Sequence, residues 1–472
     1  MISFAYRIHW CRWSLLNLAV VGPLGLLLFA QGCHLSYSGF DYGADGAALD
    51  ASLDGGLDSG ADGGDRPDAG EQDAAPDSCT PGAEVCDGVD NDCDGAADEG
   101  TAAELGCRWS CGTAGCSDPS VPAAGDRFTC ATLTDGAVAC WGDNSFGQLG
   151  DGSVVDHSTP MSAGSLSAVE SVAIGASSAC ALRAGRLSCW GDNWTGQLGD
   201  GSTTSSSSPV DLSLTDVRAF DVGGVLQEVA ELTGEGVLGA CAIAGSERSV
   251  FCWGGQIDRR VPTLVAGLDG AVEIAVGGGF ACSRDSISGR PSCWGDNLFG
   301  QLGNGTTTAS DRPVRVSSAG GGVEEIAAGA RHACGLFAGE VLCWGSNQFG
   351  QCGQAVSAPI LIPTALSAAS LVGVEQLSLG GNHSCALIGT GEVFCWGENV
   401  NGQLGDGTST PSATPVRVSG ISTAVAISAG LAHTCATLSD ATLVCWGGND
   451  FAQIGDGTTT QRTAPVSVAP PG

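Results

Sequence analysis

The tripeptide Cys-Trp-Gly recurs seven times, beginning at Cys140, Cys189, Cys252, Cys293, Cys343, Cys395 and Cys445. The intervals are 49, 63, 41, 50, 52 and 50 residues, so one long step followed by one short step keeps the array in register. A period of about fifty residues is that of a repeated supersecondary unit, too small to bury its apolar face alone and stable only against its neighbours. With 75 Gly and only 15 % charged residues, the chain favours many short strands joined by tight turns.

One repeat can be read residue by residue. Val323, Ile326 and Ala328 open a strand that stops at Gly329. His332 to Leu336 forms a second, Gly339 turns the chain, and Val341 to Trp344 returns antiparallel. A turn-rich segment such as Asn297 to Gly303 follows the Trp, and then a Pro-Val strand as at Pro313-Val314 and Pro415-Val416. About four short strands per repeat is the content of one propeller blade. The expectation is an all-β, seven-bladed β-propeller over residues 119–472.

A second Cys precedes each Cys-Trp-Gly by 9, 10 or 11 residues. The pairs are Cys130/Cys140, Cys180/Cys189, Cys241/Cys252, Cys282/Cys293, Cys334/Cys343, Cys385/Cys395 and Cys435/Cys445. A hairpin sets each Cys opposite its partner, where Cβ atoms about 4.5–5.5 Å apart are near disulfide reach. One disulfide per blade is expected; reduced cysteines acting as small buried hydrophobes are the alternative. Zinc fits poorly, because each blade would supply two thiolates and no facing His. Cys352, where other repeats carry Leu or Ile, is left over as a free buried thiol.

The N-terminal quarter reads differently. Arg7 and Arg12 precede an apolar run from Leu15 to Ala30, short for a membrane span and interrupted by Pro23, which has the form of an export signal. It ends at Ala30-Gln31-Gly32-Cys33, which resembles the lipobox of bacterial lipoproteins, with Ala30 departing from the usual Leu. That resemblance implies cleavage before Cys33 and a lipid on its sulfur; a plain signal peptide or an uncleaved anchor is the alternative. Residues 34–78 are an Asp/Gly/Ala tether with too little apolar surface to offset the entropy of ordering, hence disordered.

Residues 79–118 hold six Cys around an acidic centre, and so small a unit needs disulfide staples. Asp90, Asp92 and Asp94 alternate before Gly95, the way a Ca²⁺ loop gathers hard oxygen ligands. Thr101 stands where an EF-hand has its bidentate Glu, so Asp98 or Glu99 would close the site. Glu84 to Gly95, with Asp98 to Gly100, resembles a Cys-rich metal-binding motif of secreted bacterial proteins. A solvated, disulfide-stapled acidic loop is the other reading.

The pattern at Gly380 to Gly407 and Gly430 to Gly457, with Gly-x-x-His-x-Cys-Ala, Cys-Trp-Gly and (Gly/Ala)-Gln-(Leu/Ile)-Gly-Asp-Gly in order, resembles the regulator of chromosome condensation repeat. The resemblance implies a seven-bladed propeller closed by pairing both chain ends in one blade, with Ala464 to Val468 beside the blade that Val121 opens. It also implies partner regulation, by nucleotide exchange on a nuclear GTPase or by inhibition of bacterial enzymes. The third repeat departs, because no Asn-x-x-Gly-Gln-Leu-Gly segment follows Trp253.

Chemistry is narrowed by what the chain lacks. All 18 basic residues are Arg against 51 Asp and Glu, so no Schiff-base or P-loop Lys exists and nucleic acid is repelled. His332, His383 and His433 share a repeat column with Phe128, Ser178, Gly239 and Phe280, which marks a structural slot. The seven repeated Trp are blade core or, alternatively, a sugar-binding ring. Departures from the repeat are the specificity candidates: Trp194, Leu212 to Leu238 and Gln256 to Arg260. The combined expectation is a monomeric, exported, lipid-anchored propeller without enzymatic activity that binds protein or glycan at the cell surface. A partner-regulating propeller and a glycan hydrolase are its rivals.

Overall fold

The computed structural model describes residues 121–133, 136–223, 239–255, 259–317, 322–366 and 371–469. Cys33, the tether, and the acidic module with Asp90, Asp92, Asp94, Asp98 and Glu99 lie outside them. The described residues form seven four-stranded antiparallel sheets, each an up-and-down meander in chain order, and no helices. Blade 5 is typical, with strands Val323–Ala328, His332–Phe337, Glu340–Gly345 and Ile360–Ala365. In every blade the first strand faces the central axis and the fourth lies at the rim. The seven-bladed, all-β architecture is therefore the one the repeat spacing predicts.

Successive side chains in a strand point to opposite faces, and that alternation explains why Cys and Trp stand side by side. The Cys of each third strand faces its partner on the second, as in Cys334 opposite Cys343. All seven such pairs are disulfides, with Cα atoms 4.0–4.1 Å apart. The adjacent Trp points the other way, into the preceding blade. Each interblade layer thus holds a disulfide from one blade and an indole from the next: Cys130 and Cys140 with Trp190, Cys334 and Cys343 with Trp396, Cys435 and Cys445 with Trp141. The seven Trp are at most 2 % exposed, which makes them core and not a sugar-binding ring.

The closing blade corrects one expectation. Pro122–Ala124 is the inner strand of a blade completed by Phe128–Thr132, Val138–Gly142 and His157–Ser162. The C-terminal strand Arg462–Ser467 pairs instead with Leu443–Gly447 of the last blade. Neither blade borrows a strand from the other end of the chain. The ring closes laterally, by Ala124 N donating to Ser428 Oγ (2.9 Å) and Leu431 N donating to Gly125 O (3.0 Å).

Inner strands are sheet edges, and their unpaired backbone groups need partners. Side chains of the neighbouring inner strand supply them. Asp221 accepts from Val276 N, Glu273 from Ile326 N and Glu325 from Leu377 N. Gln376 both accepts from Ile427 N and donates to Ile427 O. The outer edge is guarded differently, by a proline within the rim strand of six blades: Pro160, Pro209, Pro313, Pro363, Pro415 and Pro465.

Each inner strand ends in glycine: Gly125, Gly175, Gly223, Gly277, Gly329, Gly380 and Gly430. A Cβ on any of them would lie 2.1–2.6 Å from the carbonyl oxygen of the corresponding Gly in the next blade, and Gly430 meets Gly125 to complete the circle. The axis can be this narrow only because seven side chains are missing. Gly430→Ala, with its Cβ 2.1 Å from Gly125 O, should lower unfolding free energy by about 3 kcal/mol or more in denaturant titration. Gly420→Ala, which meets nothing within 4 Å but has φ of 74°, should lose only the left-handed backbone penalty of about 1 kcal/mol.

Candidate partner-binding face

In a meander the loops joining strands one to two and three to four emerge at the same end. Among the described residues, that end of the propeller carries six short turns, such as Gly329-Ala330-Arg331, and the long loops that follow six of the seven Cys-Trp-Gly copies. The two sets touch: Asp143 N donates to Arg127 O, Asp192 N to Ser177 O and Ser346 N to Arg331 O.

A buried asparagine organises each long loop. Asn144 accepts at Oδ1 from Leu149 N (3.0 Å) and donates at Nδ2 to Val155 O (3.0 Å), tying the start of the loop to its middle and end. Asn193, Asn297, Asn347, Asn399 and Asn449 accept in the same way from Leu198, Leu302, Cys352, Leu404 and Ile454. Asx side chains that satisfy backbone groups hold irregular chain in place of a ladder. The residue after this asparagine points outward and differs in every repeat: Ser145, Trp194, Leu298, Gln348, Val400 and Asp450, all exposed. Trp194 is 60 % exposed, Val400 54 % and Leu298 49 %. Arg127 stacks on Phe451 at 4.4 Å and Arg331 on Phe299 at 4.9 Å, so each cation spans a blade boundary on this face.

The loops also lock the blades together. Each Gln of the Gly-Gln-Leu-Gly stretch offers its carbonyl to the indole of the following blade. The bonds are Trp190 to Gln148 (2.8 Å), Trp253 to Gln197 (3.0 Å) and Trp344 to Gln301 (2.9 Å). Trp396 to Gln351 (2.8 Å), Trp446 to Gln403 (2.9 Å) and Trp141 to Gln453 (2.9 Å) complete six. For Trp294, whose Nε1 is buried, no acceptor stands among the described residues, and residues 256–258 of the preceding blade's loop lie outside them.

The histidine column is part of the same lock. His332, His383 and His433 place Nε2 2.9, 2.9 and 2.8 Å from Ser384, Thr434 and Thr129 of the next blade. Each hydroxyl donates onward to the Gln351, Gln403 or Gln453 carbonyl, so it must accept from Nε2–H. Nδ1 is left without a partner. Burial pushes the three imidazoles down to about 3, 4 and 3 for His332, His383 and His433, and they stay neutral. Where the column carries Phe128 or Phe280, the facing residue of the next blade is Ala179 or Ala333. His meets hydroxyl and Phe meets methyl, which is packing logic and not catalysis.

The remaining candidates separate. His157 is paired with Asp151 at 3.0 Å. Cys352 fills the Leu slot of its loop, fully buried, its thiol pushed far up by burial while it donates to Ser346 O. Burial raises Asp126 to about 7 against the opposing pull of Arg127, and raises Asp221 to about 7. Asp221 is occupied by the backbone N–H groups of Val276 and Val222 and caps a strand edge. Sequence reasoning gave no role to these carboxylates or to the clamp asparagines; the Asn after Trp-Gly-x in six of the seven repeats was the available signal. Within the stretches singled out for specificity, 224–238 and 256–258 lie outside the described residues, whereas Leu212 is buried strand and Trp194 stands exposed. Among the described residues no three His, Cys, Asp or Glu converge to hold a metal.

A profile of the regulator of chromosome condensation (RCC1) repeat matches residues 293–336, 338–387 and 390–437, and a second profile of that repeat matches 123–148, 323–351, 374–403 and 424–453. The E3 ubiquitin-protein ligase HERC2 of Homo sapiens is 30 % identical over 211 residues, which span 41 % of this chain and only 4 % of that protein. The ultraviolet-B receptor UVR8 of Arabidopsis thaliana is 27 % identical over 310 residues, 62 % of this chain and 68 % of the receptor. Prp20p of Saccharomyces cerevisiae, whose crystal structure was described with its binding to Gsp1p and histones, superposes with a TM-score of 0.61 at 20 % identity, covering 74 % of this chain and 88 % of that one. Human WBSCR16 gives 0.62 at 21 % identity over 71 % and 95 %. At these identities the structures establish the shared fold.

The His–hydroxyl pairs are testable as a cycle. Thr434→Ala should cost about 1–3 kcal/mol by orphaning the His383 donor, and adding His383→Phe should recover most of it, reproducing the Phe128/Ala179 pair. A histidine with a lowered folded pKa binds its proton mainly when unfolded. Its stabilisation is therefore full above pH 6.5 and lost as pH falls toward 4, by up to roughly 3 kcal/mol for His383. Asp126 and Asp221, raised to about 7, oppose this by favouring the folded state more at low pH. The double variant should flatten the acid limb of unfolding free energy against pH; an unchanged slope would reject a neutral buried His383.

Proposed function

We propose that this chain, whose seven-bladed propeller is built from regulator of chromosome condensation repeats, acts by holding a protein partner on the face formed by its short turns and asparagine-clamped loops. The contrast between buried and exposed positions of one loop carries this reading. Asn144, Asn193, Asn297, Asn347, Asn399 and Asn449 are identical and buried, whereas their exposed successors are six different residues. Constant scaffold beneath a varied surface is what a recognition face on a rigid fold requires. UVR8 and HERC2 share the repeats, and Prp20p, which has the same fold, binds the proteins Gsp1p and histones. A glycan reading rests on Trp194 as the exposed stacking aromatic.

Seven disulfides and the signal-like N-terminus support an exported protein, held at a bacterial surface through lipidated Cys33, with Ca²⁺ in the acidic module. Guanine-nucleotide exchange would require an intracellular GTPase, which such a chain would not meet.

Binding should be lost on Trp194→Ala with Leu298→Asp, without loss of thermal stability. Ile287→Asp, at a residue 94 % exposed on the opposite end, should bind normally. The readout is cross-linking of the purified mature protein to an envelope fraction; binding abolished by Ile287→Asp alone would place the partner elsewhere. In a separate measurement, alkylation of the denatured, unreduced protein should label Cys352 alone within 119–472, and the fourteen paired cysteines only after reduction.

A further inference from the structure

Two arginines on the loop face lay their planar cations on a phenylalanine in the same way, yet they stand in opposite surroundings. Arg331 lies over the ring of Phe299 at 4.9 Å, and Arg127 over that of Phe451 at 4.4 Å. Each platform is fixed by its own loop, with Phe299 N donating to Gln301 Oε1 and Phe451 N to Gln453 Oε1. Among the described residues neither guanidinium donates a hydrogen bond or joins an ion pair. Asp126 adjoins Arg127 in the chain, where the cation favours its ionised carboxylate, and the exposed Asp450 adjoins Phe451. The same two places around the other stack hold Ala330 and Leu298. The remaining acid of that loop, Asp296, is already engaged: Oδ1 accepts from Leu298 N at 3.0 Å and Oδ2 from Gln301 Nε2 at 2.8 Å. One stack thus has carboxylates of its own chain beside it. The other presents an uncompensated cation next to an apolar side chain that is 49 % exposed.

We infer that Arg331 reads a carboxylate, the Asp or Glu side chain of a protein partner, while Leu298 packs on an apolar residue next to it. The inference rests on the partner-binding reading above and narrows it to the boundary between the fourth and fifth blades and to one chemistry. The N–H edge of a guanidinium is a fork that fits a carboxylate with two parallel bonds. An exposed ion pair is ordinarily weak, because two long side chains must be held in one geometry. Here the Phe299 ring covers one face of the cation and orders it before a partner arrives, which leaves the edge to bind. The acids of the surrounding loops, Asp192, Asp296, Glu398 and Asp450, repel a polyanion. Nucleic acid and phosphate-rich surfaces therefore fit poorly, and an isolated carboxylate is what one cation in such a field can take.

The test titrates the purified mature protein against a detergent-solubilised envelope fraction at low salt and reads the cross-linked product. Arg331→Gln should weaken binding about tenfold, and Arg331→Lys, which keeps the charge but loses the fork, about threefold. Arg127→Gln should cost clearly less than Arg331→Gln, and Arg186→Gln, an exposed arginine at the opposite end, should cost nothing. Leu298→Asp sets an acid where Asp450 stands beside the other stack. It should weaken binding as much as Arg331→Gln and add nothing when the two are combined. Converting the envelope carboxyl groups to amides with glycinamide before mixing should weaken the wild type about tenfold and Arg331→Gln less than about twofold. Equal loss in both on amidation, or the absence of any cross-linking that depends on Arg331, overturns the inference. Binding lost after carboxypeptidase treatment of the envelope would move the carboxylate to a chain terminus and overturn the side-chain assignment. An unchanged melting temperature in each variant separates binding from folding. Trp194→Ala should weaken binding whatever Arg331 does, so a face that holds its partner without Arg331 is distinguishable from a face that holds none.

Discussion

The structure depends on how closely seven blades can approach one axis. Each inner strand ends where the next blade's carbonyl occupies the space a side chain would need, and the contact runs unbroken from Gly125 round to Gly430. Backbone packed against backbone leaves no adjustable side chain to absorb an error. The ring therefore acts on all blades together, and the lateral contacts outside it need only hold blades at a spacing already set. This explains how the two chain ends can close the circle without exchanging a strand.

Outside the ring, one local rule builds every boundary. Neighbouring residues of a strand face opposite ways, so Cys-Trp sends a disulfide forward and an indole backward. The disulfide staples its own hairpin; the indole reaches the previous blade and takes a carbonyl there. In two boundaries a phenylalanine meets alanine, and in three a histidine meets a hydroxyl that passes its proton to the same carbonyl the indole uses. These are alternative fillings of one slot. Either is consistent alone, and mixing them would strand a buried donor.

These facts also explain which parts of the molecule could be read from the chain. Blade number, strand content and disulfide pairing follow from local periodicity, since a Cys ten residues before Cys-Trp-Gly can only face it across a hairpin. The closing blade could not be read in this way. Whether Arg462–Ser467 lies beside Leu443–Gly447 or beside the first blade is a contest between two similar edges far apart in sequence, and the strand completes the blade nearest in the chain. The roles of Asp221, Glu273 and Gln376 were hidden for a related reason. A polar residue in a strand looks solvent-facing until a neighbouring edge presents an N–H to it. Trp194 was legible as a departure from the repeat, but its meaning depended on seeing the asparagine that holds the loop beneath it.

The division between buried lock and exposed loop has a consequence for how such a propeller can change. The clamp asparagine, the Gln carbonyl and the glycine beside the indole serve the boundary, and each is held by backbone geometry that tolerates little. The side chain after the asparagine is exposed in all six loops and takes no part in the interblade lock, so a change there leaves the lock in place. The glycine ring and the Asp221–Val276 bond hold the third blade to its neighbours, while the Cys241–Cys252 disulfide staples that blade's own hairpin.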